Sequence, residues 1–202
     1  MSKLQLKKTK LGLQLPTDPR WADLAQMSLE DILTDHAYCE QKAASSCISL
    51  IQSYPLHEEL VAALAPVVSE EWMHFRLVVE ELKKRGLKLG LQRKDEYIAA
   101  ISKFVQKGGK KEGYLLDRLL MCALIEARSC ERFRLLHEQL HDRELADFYY
   151  TFMVAEASHY KLFLSLAKHY INEASVMKRW EEWLVFEAEV MHQLTPRGDR
   201  MH

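Results

Sequence analysis

The sequence predicts an all-α fold in which four long helices form a bundle. Only seven glycines and five prolines occur in 202 residues, and so few helix breakers favour long helices over many short strands. Hydrophobic residues make up 48% of the chain and charged residues 28%, which is the balance of a folded globular protein. The length suits one compact domain over residues 1–202.

The first two long helices have clear boundaries in the sequence. We expect the first to begin near Ser28, whose hydroxyl is suited to cap it, and to end at about Ser53. The second spans roughly 56–85 and stops at Gly86. Pro66 lies inside this second helix, and we expect it to kink the helix or divide it into two pieces.

The later elements follow the same spacing of apolar residues. Asp142 is a candidate N-cap for the fourth long helix, and Gly108-Gly109 is expected to end a shorter helix in the middle of the chain. The remaining predicted elements are an extended arm over 1–20, a short helix over 95–107, long helices over 113–140 and 143–170, a last amphipathic helix over about 175–193 and a polar tail over 195–202.

Composition also bears on where the protein acts. No stretch approaches the roughly 18 consecutive apolar residues of a membrane span, and the basic N-terminus lacks the apolar core of a secretory signal. The four cysteines show no C-x-x-C spacing and are expected to be free. We therefore expect a cytoplasmic protein without a membrane partner.

Two E-x-x-H motifs are candidate metal-binding motifs: Glu71-Trp-Met-His74 and Glu156-Ala-Ser-His159. Residues three apart on a helix are neighbours on one face, so each motif directs a carboxylate and an imidazole to the same point. One such motif is usually accidental. Two of them, each about 30 residues after another glutamate, indicate a shared metal site.

The additional glutamates are Glu40 and Glu126. They complete a ligand set typical of ferritin-like bundles, in which two helices each supply one Glu and two others each supply E-x-x-H. The sequence thus predicts a ferritin-like four-helix bundle with additional flanking helices. Four buried carboxylates need cations beside them. The predicted metal ligands are Glu40, Glu71, His74, Glu126, Glu156 and His159.

The two halves of the chain resemble each other around these ligands. Glu40 and Glu126 are 86 residues apart, while Glu71 and Glu156 are 85 apart. The segment E-W-M-H-F-R-L in one half aligns with E-A-S-H-Y-K-L in the other. We expect two helical hairpins, related by pseudo-symmetry, to bring the six ligands together.

The ligand types also indicate which metal binds. Four carboxylates and two histidines form a hard, oxygen-rich set, which suits iron or manganese better than structural zinc. We expect two iron ions with dioxygen as co-substrate, because such sites leave coordination positions open. His36, one turn before Glu40, is either a hydrogen-bond partner of that ligand or an ordinary buried histidine.

Two other features have competing interpretations. His137-Glu-Gln-Leu-His141 matches the H-E-x-x-H signature of zinc proteases, but its position at a helix C-terminus favours a solvated helix end. The tryptophans Trp72, Trp180 and Trp183 are expected to be packing residues.

Basic residues are concentrated in the segment 83–111. This segment has ten bases and two acids, a net charge of +8, although the whole chain is at −1. Such a segment is suited to contact phosphates, while a solvated lysine-rich linker is the alternative. The candidate RNA-binding residues are Lys83, Lys84, Arg85, Lys88, Arg93, Lys94, Lys103, Lys107, Lys110 and Lys111.

The segment Ile125-Glu-Ala-Arg-Ser-Cys-Glu-Arg-Phe133 resembles the tRNA 2-methylthio-N6-isopentenyladenosine hydroxylases, a family of ferritin-like di-iron monooxygenases. The likeness continues in Asp35-His-Ala-Tyr-Cys-Glu-Gln-Lys-Ala-Ala-Ser45 and around both E-x-x-H motifs, and covers most of the chain from Leu15 to about Ala167.

This resemblance implies hydroxylation of the isopentenyl group of a hypermodified adenosine beside the tRNA anticodon, with electrons from an unidentified donor. It also implies that Glu71 and Glu156 bridge the irons, while Glu40 with His74 and Glu126 with His159 complete them. The chain departs from the family at Met73 and Ser158, where an arginine is common.

Two further functions use the same features. A ferritin-like or rubrerythrin-like protein that handles iron or scavenges peroxide would need the same six ligands. A helical adaptor without metal would make the acids and histidines incidental. Iron content separates the adaptor from the other two, and a cage-like assembly would indicate storage.

Overall fold

The computed structural model describes residues 9–106 and 111–202, and no strand occurs within these ranges. None of the described helices has both the length and the apolar character needed to cross a membrane. The helices are α1 (Arg20–Met27), α2 (Leu29–Ser53), α3 (Glu58–Lys84), α4 (Glu96–Ile101), α5 (Lys111–Gln139), α6 (Arg143–Tyr170) and α7 (Glu173–Gln193).

The chain divides into two compact units, of which the first contains Trp21–Lys94 and Arg197–Met201 and is called the α2–α3 unit. Helices α2 and α3 pack against each other along most of their length. Their buried positions alternate in steps of three and four, which places one apolar seam on each helix. The seam residues are Leu33, Ala37, Glu40, Ala44 and Cys47 on α2, and Leu60, Leu64, Val67, Glu71, His74 and Val78 on α3.

The second unit contains residues 9–20, Asp95–Pro196 and His202 and is called the α5–α6 unit. Helices α5 and α6 pack as a second hairpin, and α7 contacts α4, α5 and α6. The same step of three and four runs along α6 through Tyr149, Phe152, Glu156, His159 and Phe163. In both units, polar residues thus occupy positions of the seam that apolar residues normally fill.

The predicted ends of α2 and α3 are largely correct. Ser28 is the N-cap residue of α2, but its side chain makes no capping hydrogen bond, so the predicted role of its hydroxyl is wrong. Helix α3 ends in a Schellman motif: Gly86 has φ +71°, and the Leu87 amide donates to the Leu82 carbonyl at 2.9 Å. Pro66 does not divide α3, which runs unbroken from Glu58 to Lys84.

Other elements differ from expectation. Helix α1 was not predicted, because its eight residues are too few for a clear apolar period. Helix α4 covers only Glu96–Ile101 and is followed by a 3₁₀ turn, while Gly108-Gly109 lies outside the described residues. The N-cap role of Asp142 is confirmed, since its carboxylate accepts from the Leu145 amide at 3.1 Å.

The end of the chain is not merely a polar tail. The indole Nε1 of Trp21 donates to the carbonyl oxygens of Arg197 at 3.0 Å and Arg200 at 3.2 Å. The Met201 amide donates to Asp35 Oδ2 at 2.7 Å, and the Met201 side chain is fully buried. Residues 197–201 are therefore part of the packed α2–α3 unit. Composition could not show this, because backbone groups make most of the contacts.

Candidate metal centre

Three of the predicted metal ligands converge inside the α2–α3 unit. Glu40, Glu71 and His74, called the α2–α3 trio, are at most 6% exposed, and one donor atom from each lies within 4.8 Å of the others. His74 Nδ1 lies 3.4 Å from Glu40 Oε2 and 3.4 Å from Glu71 Oε2. The helical seam explains this convergence, because Glu71 and His74 are one turn apart on α3 and Glu40 comes from the facing side of α2.

His36 supports this trio from α2. Its Nε2 lies 2.7 Å from Glu40 Oε1, one turn along the helix, and its side chain is fully buried. A histidine that donates to a carboxylate holds that carboxylate in one orientation. Of the two interpretations left open for His36, the structure supports the hydrogen-bond partner of Glu40.

Burial and mutual contact shift the pKa values in the trio. Burial raises the pKa of Glu40 to about 8, and the neighbouring Glu71 carboxylate adds to the rise. Burial opposes protonation of His74, but the adjacent carboxylates of Glu40 and Glu71 outweigh it and raise its pKa to about 10. Burial, followed by the nearby charge of His74, lowers the pKa of His36 to about 3. His36 is therefore neutral at pH 7, the form that donates from one ring nitrogen only.

A second set converges inside the α5–α6 unit. Glu126, Glu156 and His159, called the α5–α6 trio, are at most 5% exposed, and one donor atom from each lies within 4.8 Å of the others. Glu156 and His159 are one turn apart on α6, and Glu126 lies on α5. Each trio thus consists of two carboxylates and one imidazole.

The donor sets fit a divalent metal ion of the first transition row. Ligand bonds of roughly 2.0–2.2 Å place adjacent donors roughly 3 Å apart, which is close to the 3.4 Å separations in the α2–α3 trio. Buried carboxylates are costly without a compensating cation. Oxygen-rich sets with imidazole suit iron, manganese or zinc better than copper(I), which prefers sulfur.

A buried network of ion pairs and hydrogen bonds, centred on Arg128 and close to Glu126 in sequence, links α5 to α7 and to residues 15–17. Arg128 is fully buried and donates to Glu187 Oε1 at 2.7 and 2.9 Å, to Thr17 Oγ1 at 2.9 Å and to the Leu15 carbonyl at 2.9 Å. It also donates to Glu131, which in turn accepts from the Thr17 amide at 3.0 Å. Sequence reasoning did not predict this network. The only signal was the clustered charges within Ile125–Phe133.

The family model for tRNA-(MS[2]IO[6]A)-hydroxylase (MiaE) matches residues 4–202. The chain belongs to this family. The chain is 37% identical over 166 residues to a protein of Pseudomonas putida named tRNA 2-(methylsulfanyl)-N(6)-isopentenyladenosine(37) hydroxylase, a match that covers 82% of this chain and 80% of the relative. A Salmonella typhimurium protein of the same name is 27% identical over 240 residues, covering 94% of this chain and 87% of the relative.

One solved structure is also similar along nearly the whole chain. It is "Protein 43 with aldehyde deformylating oxygenase activity" from Synechococcus, with a TM-score of 0.88, 32% identity and 94% of each chain covered. The predicted all-α, ferritin-like fold class is thereby confirmed. Membership of the hydroxylase family also confirms that the protein is an enzyme.

The H-E-x-x-H segment, His137–His141, does not lie on one helix. Helix α5 ends at Gln139, so His141 lies beyond it and is exposed. Glu138 pairs with Arg134 at 2.7 Å, and His137 Nδ1 lies 3.0 Å from the Ala146 carbonyl. Among the described residues, the groups that bring together three or more metal-binding side chains include neither histidine.

The basic segment, residues 83–111, contains arginines that form ion pairs and lysines that are exposed. Arg85 lies 2.6 Å from Glu81, and Arg93 lies 3.1 Å from Asp31 and 3.2 Å from Asp199. Lys107 and Lys110 lie outside the described residues. Lys83, Lys84, Lys88 and Lys94 are exposed in the α2–α3 unit, and Lys103 and Lys111 are exposed in the α5–α6 unit.

Proposed function

We propose that this chain hydroxylates the isopentenyl group of 2-methylthio-N6-isopentenyladenosine next to the tRNA anticodon. Dioxygen is the co-substrate: one oxygen atom enters a C–H bond of the prenyl group and the other leaves as water, which requires two electrons and two protons. An external electron donor of unidentified nature supplies the electrons. The enzyme acts in the cytoplasm, where tRNA is available.

The cofactor in this proposal is a pair of iron ions held by the α2–α3 trio and the α5–α6 trio together. Glu40, Glu71 and His74 would supply ligands from α2 and α3, and Glu126, Glu156 and His159 would supply them from α5 and α6. Bound iron with open positions supplies the dioxygen chemistry that protein side chains lack. The protein holds the six ligands in a buried environment, and His36 keeps Glu40 oriented through its 2.7 Å hydrogen bond.

The observation that carries the proposal is the match of the hydroxylase family over residues 4–202 in a chain with two buried Glu-Glu-His trios. Both curated relatives are named for the same reaction on adenosine 37. Iron storage and peroxide scavenging need the same ligands but gain no support from these comparisons. Hydroxylation of the prenylated adenosine is therefore the function that we retain.

The tRNA contact surface is proposed to include exposed residues of the basic segment. Lys83, Lys88 and Lys94 are the best placed, because lysines that extend into solvent can neutralise phosphates. Arg85 and Arg93 already hold carboxylates, so their contribution to RNA binding is expected to be smaller. Lys84, Lys103 and Lys111 are secondary candidates, and Lys107 and Lys110 remain predictions from sequence.

Reconstitution with iron tests the proposal. Protein purified without oxygen and loaded with ferrous iron is mixed with an anticodon stem-loop that carries the prenylated adenosine, a chemical reductant and dioxygen. We expect one hydroxylated nucleoside per two electrons consumed, detected by nucleoside mass spectrometry. Glu126→Ala is the matched inactive control. Iron-loaded protein that consumes dioxygen without hydroxylating the nucleoside would overturn the substrate assignment.

A further inference from the structure

The turn of α3 that carries two metal ligands has an unusual outer side. Glu71 and His74 are buried at 1% and 6% exposure, but Trp72 and Met73 between them are each 48% exposed. Trp72 was expected to be a packing residue, and the structure corrects this. The other three tryptophans, Trp21, Trp180 and Trp183, are at most 4% exposed.

Trp72 is held in place on this surface. Its ring stacks on Phe75, with centroids 5.0 Å apart and planes 24° from parallel. A large exposed aromatic ring that is braced in this way presents a flat face at little entropic cost, because its partner limits its rotation.

Cationic side chains continue from Trp72 along the same face of α3. With 3.6 residues per turn, Arg76 and Lys83 lie within about 40° of Trp72 around the helix axis, at rises of about 6 and 17 Å. Both are exposed. Glu80 is the one exposed acid between them, and Lys88 and Lys94 follow in the next loop. The face thus combines an aromatic ring with a net positive charge.

The corresponding turn of α6 lacks this feature. In the aligned motif E-A-S-H, Ala157 and Ser158 stand where α3 has Trp72 and Met73. Both small residues instead line a groove of about 500 Å³ together with Met153 and Tyr150. The large aromatic group is therefore not a requirement of the metal-binding motif, since the second motif does without it.

We propose that Trp72 is a stacking platform for an unpaired base of the tRNA anticodon loop, with Arg76 and Lys83 binding adjacent phosphates. This inference rests on the proposed function and adds a site of substrate recognition to it. Single-stranded nucleic acids are bound by aromatic rings that stack on bases beside cations that follow the backbone. A protein partner would favour a broader apolar surface without the row of cations.

The kinetic test compares two substrates of one reaction, a prenylated anticodon stem-loop and the free prenylated nucleoside. Rates are expressed per bound iron. In Trp72→Ala we expect kcat/KM for the stem-loop to fall by about five-fold or more relative to that for the nucleoside. Trp72→Phe should recover most of the ratio, because phenylalanine keeps an aromatic face. Leu56→Ala, at a 91% exposed leucine of the same unit, is the matched control and should leave the ratio unchanged.

A binding test separates this inference from the proposed reaction. An unmodified anticodon stem-loop should quench the fluorescence of the wild-type protein, since Trp72 is the exposed tryptophan. In Trp72→Phe the quenching should be lost while binding, followed by anisotropy of a labelled stem-loop, persists. A fully paired RNA hairpin with a minimal loop should not quench.

Each outcome has one meaning. An unchanged substrate ratio in Trp72→Ala, with hydroxylation intact, would overturn the stacking platform and leave the reaction standing. Hydroxylation of neither substrate would instead reject the proposed function. A Trp72→Ala defect that is equal for both substrates and appears only with a protein reductant would show that this face binds a redox partner, which would also overturn the inference.

Discussion

His36 Nε2 lies 2.7 Å from Glu40 Oε1, and both side chains are buried one turn apart on α2. One oxygen of Glu40 is thus held by a histidine, while its other oxygen lies 3.4 Å from His74 Nδ1. The carboxylate thus has an imidazole on each side. Such support reduces the entropy that a ligand loses when a metal binds.

Removal of this support should weaken metal binding without unfolding the protein. We expect His36→Ala to lower the affinity for ferrous iron by about 10–100-fold, which is typical for loss of a hydrogen-bond partner of a ligand. Competition with a chromogenic chelator under anaerobic conditions measures the affinity. His192→Ala, at an exposed histidine of α7, should bind iron like the wild type. Equal losses in both variants would contradict the role of His36.

Substitutions of Glu126 and His137 distinguish the predicted iron ligands from the H-E-x-x-H segment. Glu126→Ala should reduce bound iron, because it removes one of the two carboxylates of the α5–α6 trio. His137→Ala should keep the wild-type iron content, because His137 Nδ1 lies beside the Ala146 carbonyl. Metal analysis of both variants after anaerobic loading gives the answer. The reverse pattern, with zinc lost from His137→Ala, would restore the interpretation as a zinc protease.

Metal binding should release protons. In the metal-free protein the pKa of Glu40 is raised to about 8 by burial, and that of His74 to about 10 by its two carboxylate neighbours against the effect of burial. The buried Glu40–His74 pair therefore retains protons at pH 7, and metal binding must displace them. Affinity should therefore rise with pH up to about 10, the higher of the two pKa values, and fall on acidification. Calorimetry in buffers of different ionisation enthalpy counts the protons, and pH-independent affinity would contradict this prediction.

The Arg128 network should contribute strongly to stability. Arg128→Met leaves the carboxylates of Glu131 and Glu187 buried without their cation, at a cost of about 3–5 kcal/mol. Thermal or urea unfolding measures this loss. The triple variant with Glu131→Gln and Glu187→Gln should regain part of it, because the two carboxylates that Arg128 neutralises are then replaced by uncharged amides. If the triple variant were less stable than Arg128→Met, the network would contribute through more than its charges.

Gly198 tests the packing of the chain end. A Cβ at this position would lie 2.1 Å from the Leu24 carbonyl oxygen, so Gly198→Ala should displace residues 197–201. We expect a lower melting temperature and faster amide exchange of Met201, whose amide now donates to Asp35. Gly113→Ala in α5, where the nearest atom is 3.6 Å from the new Cβ, should be neutral or stabilising by up to about 1 kcal/mol. Identical melting of both variants would show that the chain end adapts.

The long helices and the residues that share a helix face were predictable from the sequence, because the patterns that encode them are local and periodic. The steps of three and four along α2, α3 and α6 are a property of the helix, so the sequence predicts both the long helices and which glutamates and histidines share a face. The Schellman end at Gly86 and the cap at Asp142 are likewise short-range signals. The joint ligation of two irons by both trios stays a prediction.

The remaining features depend on contacts between distant residues, which no local pattern encodes. Only the folded chain shows that Arg128 reaches Thr17 and Glu187, that Met201 binds Asp35, and that Arg93 holds Asp199. The fold also determines which face of α3 is covered. Trp72 lies on the uncovered face and is exposed, although its large aromatic side chain suggested a packing residue. Burial is a property of the whole fold, because it depends on what the rest of the chain places against each side chain.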